Sequence, residues 1–145
     1  MIGILAATAV WASAAAAPAT IGAVYFPNSD PKLPFSSAVQ VGDVLYLSGA
    51  LASDDKGGVI AGGMPAETKA VMEQIGVTLK ARGLSYDDVF KCTVMLTDMS
   101  QWGEFNKIYV TYFKPDRLPA RSAFGAAALA RGAHVELECW ARVKP

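Results

Sequence analysis

Two charged side chains in the C-terminal part of the chain have the types and positions of site residues. Residues 118–122 read LPARS and residues 135–138 read VELE, so Arg121 and Glu136 both fall in segments typical of strands. Because a strand residue is nearly half buried by default, a charge placed there needs an ion-pair partner or a ligand. Arg121 and Glu136 are therefore the first candidates for a functional site.

Both residues also have purely structural interpretations. Arg121 could form an ion pair with Glu136 or Glu138 and so join two strands. Alternation along a strand puts Glu136 and Glu138 on one face of the sheet, where they could line a polar channel. The residue types alone leave the site and the structural ion pair open.

The elements that must position these residues follow the order β, β, α, β, α, β, β. Residues 37–41 and 44–48 flank a Gly-Asp turn, which predicts a hairpin. Residues 89–96 are rich in β-branched and apolar types, which predicts a strand buried on both faces for part of its length. The last two strands are predicted over residues 121–129 and 134–143.

Two helices are predicted between these strands. The first begins near Pro65, carries Glu67 in its first turn and ends at Gly83. The second follows a cap at Asp98 or Ser100 and has an aromatic stripe, which far more often belongs to a core or a subunit interface than to a binding site. The stripe consists of Trp102, Phe105, Tyr109 and Tyr112. We therefore predict an α+β domain with both helices on one face of a sheet.

Composition narrows the class of protein. The 145 residues fit one domain with a modest core. The 13 basic residues balance the 13 acidic ones, so no broad attraction to phosphate backbones or anionic lipid is expected. Nucleic acid is therefore not an expected partner. Hydrophobic residues make up 52% of the chain, more than a small core uses, which predicts a homo-oligomer.

The N-terminal segment has the character of an export signal. Residues 1–17 contain no charge, start with an apolar run and end in small residues. We predict a signal peptide over residues 1–17, an irregular lead-in over 18–32 and the domain over 33–145. The apolar part is too short for a membrane span, so no stable membrane association is expected after processing. A periplasmic or secreted location is expected, although the missing positive n-region also fits a cytoplasmic protein.

The chain has two cysteines, Cys92 and Cys139, and one histidine, His134, without metal-ligand spacing. No zinc or iron site is predicted. Both cysteines fall in predicted strands, and the simplest interpretation is two buried thiols that pack as small hydrophobes. In an oxidising compartment they could pair, but the sequence does not show whether the strands bring them together.

Six short motifs in a fixed order resemble the RidA family of reactive-intermediate deaminases, also called the YjgF family. Together they cover about residues 33–143. The motifs are PFS at 34–36, LYLSG at 45–49, VMLTD at 94–98, FNKIY at 105–109, LPARS at 118–122 and VELE at 135–138. Six segments in the correct order are much harder to reach by chance than one.

The resemblance implies both a fold and a reaction. The fold is that of chorismate-mutase-like trimers, in which three mixed sheets form a central barrel, helices lie outside, and sites lie in clefts between protomers. The reaction is that of a 2-iminobutanoate/2-iminopropanoate deaminase-like hydrolase, which converts imines and enamines such as 2-aminoacrylate to 2-keto acids and ammonia. No metal or organic cofactor is implied. The implied partners are a small imino or enamino acid and further copies of the chain.

The resemblance also implies roles for individual residues. Arg121 matches the arginine that holds the substrate carboxylate, and Glu136 matches the acid that positions or activates water. Ser48 and Gly49 match the floor of the pocket, and Asn106 matches a residue contributed by a helix at the cleft. These roles suit an imino acid, because the guanidinium fork matches its carboxylate and a held water can then attack the adjacent C=N carbon.

Three further residues complete the implied substrate-binding set, and two of them depart from the family pattern. Phe35 stands where many members have tyrosine, so a hydroxyl is lost. Ser122 directly follows the arginine. Ala123 stands where many bacterial members have cysteine, at a position that acts chiefly through its backbone. The departures concern substrate preference more than activity.

Topology decides whether Arg121 and Glu136 can act on one substrate. In a simple hairpin that turns near residues 131–132, Glu136 would lie roughly six residues, or about 20 Å, from the position opposite Arg121. The family fold avoids this arrangement by placing the last strand centrally, away from its predecessor. The residue roles therefore depend on the fold.

A second class of function competes with the enzyme. The chain could be a non-catalytic trimer that binds small carboxylates through Arg121, or a chaperone-like protein, and the departure at Phe35 fits weakened catalysis. A ribonuclease or translation-inhibitor role, sometimes attached to the family, is disfavoured by the neutral charge and the lone histidine.

Overall fold

The computed structural model describes residues 22–54 and 57–144, which form a mixed sheet covered on one face by helices. The described strands are β1 (Ala23–Phe26), β2 (Ala38–Val41), β3 (Val44–Leu47), β4 (Ala50–Leu51), β5 (Val89–Leu96), β6 (Ala120–Gly125) and β7 (Val135–Arg142). Their order is β1-β2-β3-β7-β5-β6, and β4 also pairs with β7. Among these pairs only β5 and β6 run parallel. The predicted fold class and the central position of the last strand are confirmed.

The predicted hairpin and helices are confirmed with small shifts at their ends. β2 and β3 pair antiparallel around the turn at Gly42, whose φ of 60° favours glycine. The helices are α1 (Gly63–Lys80) and α2 (Trp102–Tyr109). The Asp98 carboxylate accepts a hydrogen bond from the Ser100 N–H at 2.9 Å and so caps the turn that leads into α2.

One core lies between the helices and the sheet. It contains the apolar stripe of α1 (Val71, Met72, Ile75, Leu79), the aromatic residues Phe105 and Tyr109 of α2, and the inward residues of β5 and β7. On β7 the side chains alternate, because Val135, Leu137, Cys139 and Ala141 are buried while Glu136, Glu138 and Trp140 are half buried. Glu136 and Glu138 therefore share the sheet face that the helices leave uncovered.

A buried carboxylate ties α1 to the start of β7. Glu67 on α1 is fully buried and accepts hydrogen bonds from the His134 backbone N–H at 2.8 Å and from the His134 ring at 2.5 Å. Burial of a carboxylate is tolerated only with such partners. The contact fixes the position of β7 relative to the helix layer.

The irregular lead-in predicted over residues 18–32 is partly wrong, because residues 23–26 form β1. This segment reads AVYF and pairs antiparallel with β2, which would otherwise present an unpaired strand edge. The predicted signal peptide over residues 1–17 lies outside the described residues. Within the described residues, no helix is long and apolar enough to cross a membrane.

The interpretation of the cysteines as two buried thiols is also wrong. Cys92 on β5 and Cys139 on β7 form a disulfide, with their Cα atoms 4.1 Å apart. The antiparallel register of β5 and β7 places the two residues directly opposite each other on the core face. That register is set by the whole sheet and is not visible in the local sequence.

Candidate functional site

Arg121 lies on β6 with its side chain against α2. Its register partner on β5 is the core residue Cys92, so both side chains point to the helix layer. The guanidinium carbon lies 4.4 Å from the centre of the Trp102 ring and 4.6 Å from that of Tyr109. Both distances are typical of cation–π stacking, an interaction that Arg forms more often than Lys. The two rings hold the guanidinium in place.

No carboxylate within the described residues pairs with Arg121. All ion pairs observed among the described residues involve cations other than Arg121. Arg121 Nη1 is buried, and no hydrogen-bond partner is found for it among these residues. The structural alternative, an ion pair with Glu136 or Glu138, therefore does not form within the chain. A buried donor that lacks a partner costs about 1–3 kcal/mol, more when it is charged, so this arrangement favours an anionic ligand.

Two more buried polar atoms without partners lie on the same stripe of α2. They are Asn106 Oδ1 and Tyr109 Oη, again unpaired within the described residues. Trp102, Asn106 and Tyr109 are spaced by four and three residues, which places them on one helix face. Burial raises the pKa of the Tyr109 hydroxyl. The positive charge of Arg121 lowers this pKa by a smaller amount than burial raises it, so the hydroxyl stays protonated. We call Trp102, Asn106, Tyr109 and Arg121 the arginine cluster.

A second group of candidate residues is linked to Glu136 through Gly49. The Glu136 carboxylate lies directly over Gly49, because a Cβ at position 49 would overlap its Oε1 atom. Gly49, Ser48 and Phe35 line an open cleft of about 760 Å³ beside α1, and Glu136 borders Gly49 without lining that cleft. The Ser48 hydroxyl donates to the Ser36 carbonyl at 2.7 Å, and Phe35 is 49% exposed. We call Phe35, Ser48, Gly49 and Glu136 the glutamate cluster.

Burial makes Glu136 a stronger base than an ordinary glutamate. It raises the pKa of the Glu136 carboxyl, and the charge of Glu138 two residues along the strand raises it further. Glu138 itself accepts a hydrogen bond from Trp140 Nε1 at 2.6 Å. A carboxylate with a raised pKa is suited to take a proton from water.

The two clusters do not meet within one chain. Glu136 is paired with Met95 on β5, whereas Arg121 is paired with Cys92, three residues along the same strand. That offset is about 10 Å, and two strand spacings add about 9.6 Å at a right angle, so the Cα atoms are about 14 Å apart. The two side chains also point to opposite faces of the sheet. The central position of β7 thus avoids the simple hairpin but does not by itself assemble a site.

Ser122 and Ala123 lie on different faces of β6. Ala123 shares the helix face with Arg121 and packs against the core. The Ser122 hydroxyl accepts a hydrogen bond from Lys91 Nζ at 2.7 Å on the opposite face. The Ser122 side chain therefore does not belong to the arginine cluster.

The sequence prediction missed Trp102 and Tyr109 as site residues. Both were assigned to an aromatic core stripe, and Phe105 and Tyr109 are indeed buried. The available signal was Asn106, a polar residue between Trp102 and Tyr109 at helical spacing. That pattern indicates a polar group facing inwards from an otherwise apolar stripe.

Comparisons with known proteins cover the same residues. Residues 27–143 match the family model described as Endoribonuclease L-PSP. The chain belongs to the RidA/YjgF family. A mouse relative named 2-iminobutanoate/2-iminopropanoate deaminase is 44% identical over 106 residues, which are 72% of this chain and 78% of the relative.

Solved structures agree with this assignment to RidA/YjgF. The crystal structure of RidA from an Antarctic Psychrobacter species is 33% identical with a TM-score of 0.72. The match spans 82% of this chain and 94% of the RidA chain. The Rid-family protein YyfA from Yersinia pestis is 32% identical with a TM-score of 0.73 and the same coverage. The family implied by the six motifs and the fold of the single chain are confirmed, while the trimer and the roles of the individual site residues stay predictions.

Proposed function

We propose that this chain is a hydrolytic deaminase of small 2-imino and 2-enamino acids, which it converts to 2-keto acids and ammonia. The observation that carries the proposal is Arg121, whose guanidinium lies against the rings of Trp102 and Tyr109 with Nη1 buried and unpaired within the described residues. A fixed guanidinium without a counter-ion is a prepared receptor for a carboxylate. Relatives named 2-iminobutanoate/2-iminopropanoate deaminase support the reaction class.

The proposed active unit is a homotrimer in which the arginine cluster of one protomer faces the glutamate cluster of the next. A second copy is needed because the side chains of Arg121 and Glu136 point to opposite faces of the sheet. The face that the helices leave uncovered also carries large apolar side chains. Tyr46 is 37% exposed, Phe90 43% and Phe124 50%, and the rings of Tyr46 and Phe90 pack on Trp140. Such a patch favours association between copies.

The chemistry requires only positioning and one base. Arg121 holds the substrate carboxylate and thereby fixes the iminium carbon. Glu136 of the neighbouring copy takes a proton from water as the water oxygen bonds to that carbon and the C=N electron pair moves to nitrogen. Glu136 then returns the proton to the nitrogen. As the C–N bond breaks and ammonia leaves, Glu136 takes the proton of the C2 hydroxyl and the C=O bond forms. A base in this role contributes about 10²–10⁴-fold, and fixed geometry adds to it.

Export remains part of the proposal. The disulfide between Cys92 and Cys139 supports a location in an oxidising compartment, since such bonds are rare in reducing cytosol. Fractionation of cells that express the full chain, compared with a chain that lacks residues 1–17, tests this. Recovery of both chains in the cytoplasmic fraction would contradict it.

The experiment that tests the function uses imino acids generated in place by an amino-acid oxidase. The rate of ammonia or 2-keto acid release is compared for the wild type, Arg121→Ala and Glu136→Gln. We expect the wild type to exceed the spontaneous rate and both variants to approach it. If the wild type binds 2-ketobutanoate through Arg121 but never exceeds the spontaneous rate, the chain is a carboxylate-binding module.

A further inference from the structure

The arginine cluster presents donors and acceptors in a specific combination. Arg121 Nη1 can only donate, Asn106 Oδ1 can only accept, and the Tyr109 hydroxyl can do both. All three atoms are buried and unpaired within the described residues. Buried polar groups without partners are rare in native proteins. Their concentration around one guanidinium indicates a ligand with the complementary groups.

The three atoms belong to side chains where one stripe of α2 packs against β6. The Trp102 and Tyr109 rings both contact the Arg121 guanidinium. Asn106 lies between them on the same helix stripe, four residues after Trp102 and three before Tyr109. Residues at this spacing have Cβ atoms about 5–6 Å apart. The Asn106 amide therefore lies on the same stripe of α2 as the two rings that contact the Arg121 guanidinium.

The complementary ligand needs an acceptor for Arg121 and, beside it, a hydrogen-bond donor for Asn106. A 2-keto acid offers its carboxylate to the arginine but only another acceptor, the ketone oxygen, at C2. A protonated 2-imino acid offers the same carboxylate and an N–H donor at C2. The substrate of the proposed reaction therefore matches the set of three atoms, and the product does not.

We propose that Asn106 is a specificity-determining residue, whose Oδ1 accepts a hydrogen bond from the iminium N–H of the substrate and disfavours the 2-keto acid product. This inference rests on the proposed function. The Tyr109 hydroxyl donates to the carboxylate, which is common to substrate and product. Asn106 thus distinguishes the imino acid from the keto acid at C2, whereas Tyr109 and Arg121 bind the C1 carboxylate of both. Loss of the nitrogen removes the contact with Asn106 and favours product release.

The test compares Asn106→Leu, Asn106→Asp and Tyr109→Phe with the wild type. Two quantities are measured for each: kcat/KM for 2-iminobutanoate formed in place, and the dissociation constant of 2-ketobutanoate by calorimetry. Asn106→Leu should lower kcat/KM at least tenfold and leave the dissociation constant of the keto acid within about twofold or tighten it. Asn106→Asp keeps an acceptor of the same shape but adds a negative charge near Arg121. Both ligands should therefore bind more weakly, while the preference for imine over keto acid should match or exceed that of the wild type. Tyr109→Phe should lower kcat/KM for the imine and weaken the binding of the keto acid by similar factors.

A merely structural role for Asn106 predicts a different pattern. In that case Asn106→Leu would weaken imine turnover and keto-acid binding by the same factor, or change neither, and the proposal would be wrong. Thermal unfolding of each variant checks the fold. If the leucine variant fails to fold, Asn106→Ala, which also removes the acceptor, provides the reading with the same expected outcomes.

Failure of the deaminase itself can be told apart from failure of this inference. If the wild type does not accelerate imine hydrolysis, calorimetry with 2-aminobutanoate, which carries an N–H donor at C2, is compared with 2-ketobutanoate. A preference for the amino acid that disappears in Asn106→Leu supports the inference without catalysis. Equal effects of the substitution on both ligands overturn it.

Discussion

The Glu136 carboxylate occupies the space where a side chain at position 49 would begin. A Cβ at Gly49 would lie 3.1 Å from the carboxyl carbon of Glu136 and 3.3 Å from its Cγ, and would overlap Oε1. Gly49 connects β3 to β4, and both strands pair with β7, which carries Glu136. The absence of a side chain at one residue thus determines where the proposed base can lie.

Gly49→Ala should therefore impair catalysis more than folding. The methyl group would displace the flexible end of Glu136 while the backbone stays in place. We expect kcat to fall at least tenfold, with little change in KM because Arg121 still holds the carboxylate. Steady-state kinetics and thermal unfolding measure both effects.

Gly103→Ala is the matched control for this substitution. Gly103 lies on α2 with open space around its Cβ position, and alanine is favoured over glycine in a helix by about 1 kcal/mol. This control should retain full kcat and gain slightly in stability. Equal losses of kcat in the two variants would contradict the role assigned to Gly49.

Trp102→Leu should weaken ligand binding by releasing the Arg121 guanidinium. A cation–π contact contributes about 0.5–2 kcal/mol, so the dissociation constant of 2-ketobutanoate should rise about 2- to 30-fold. Trp102→Phe keeps an aromatic face and should recover most of the affinity. Calorimetric titration of the wild type and the two variants measures these dissociation constants. Identical affinities in Trp102→Leu and the wild type would show that the stacking does not position Arg121.

The acid limb of the pH–rate profile should reflect protonation of the Glu136 carboxylate. Burial and the charge of Glu138 raise the pKa of Glu136, so activity should fall with acid at a pH above that expected for a free glutamate. Glu138→Gln removes the like charge and keeps an oxygen that can accept from Trp140. The acid limb should then move to lower pH. A profile that stays unchanged in Glu138→Gln would argue against this assignment.

The same carboxyl should make the folded state less stable at neutral pH. Because its pKa is raised on folding, the folded state binds more protons than the unfolded chain between the two pKa values, and stability falls as the pH rises through that window. Glu136→Gln should therefore raise the melting temperature at pH 7 while lowering kcat by about 10²–10⁴-fold. A lower melting temperature would show that the carboxylate supports the fold.

Loss of the disulfide should destabilise the protein without abolishing the fold. Cys92 and Cys139 are separated by 47 residues in the sequence, and a loop of this length corresponds to about 4 kcal/mol in the chain-entropy account. The double variant Cys92→Ala with Cys139→Ala should lose about 2–4 kcal/mol of unfolding free energy in urea. Thiol titration of the denatured wild type without reductant should detect no free thiol; two free thiols would contradict the bond.

Local patterns in the sequence were sufficient for most elements. The sequence predicts the hairpin around Gly42, the strand over residues 89–96 and a cap at Asp98 or Ser100, because turn chemistry, β-branched content and capping act over a few residues. β1 was missed because turn-forming residues follow it, and its pairing with β2 is a contact between distant parts of the chain. Six ordered motifs indicated the family, and with it Arg121 and Glu136.

By itself, the sequence determined the elements, the family and the residue types of the site, because these depend on neighbours along the chain. Only the tertiary structure decided how those residues face one another. Sheet register joined Cys92 to Cys139, and the pleat placed Arg121 and Glu136 on opposite faces about 14 Å apart. Packing of α2 on β6 put Trp102 and Tyr109 against Arg121. Register and packing are set by contacts between distant segments, and no local periodicity encodes them.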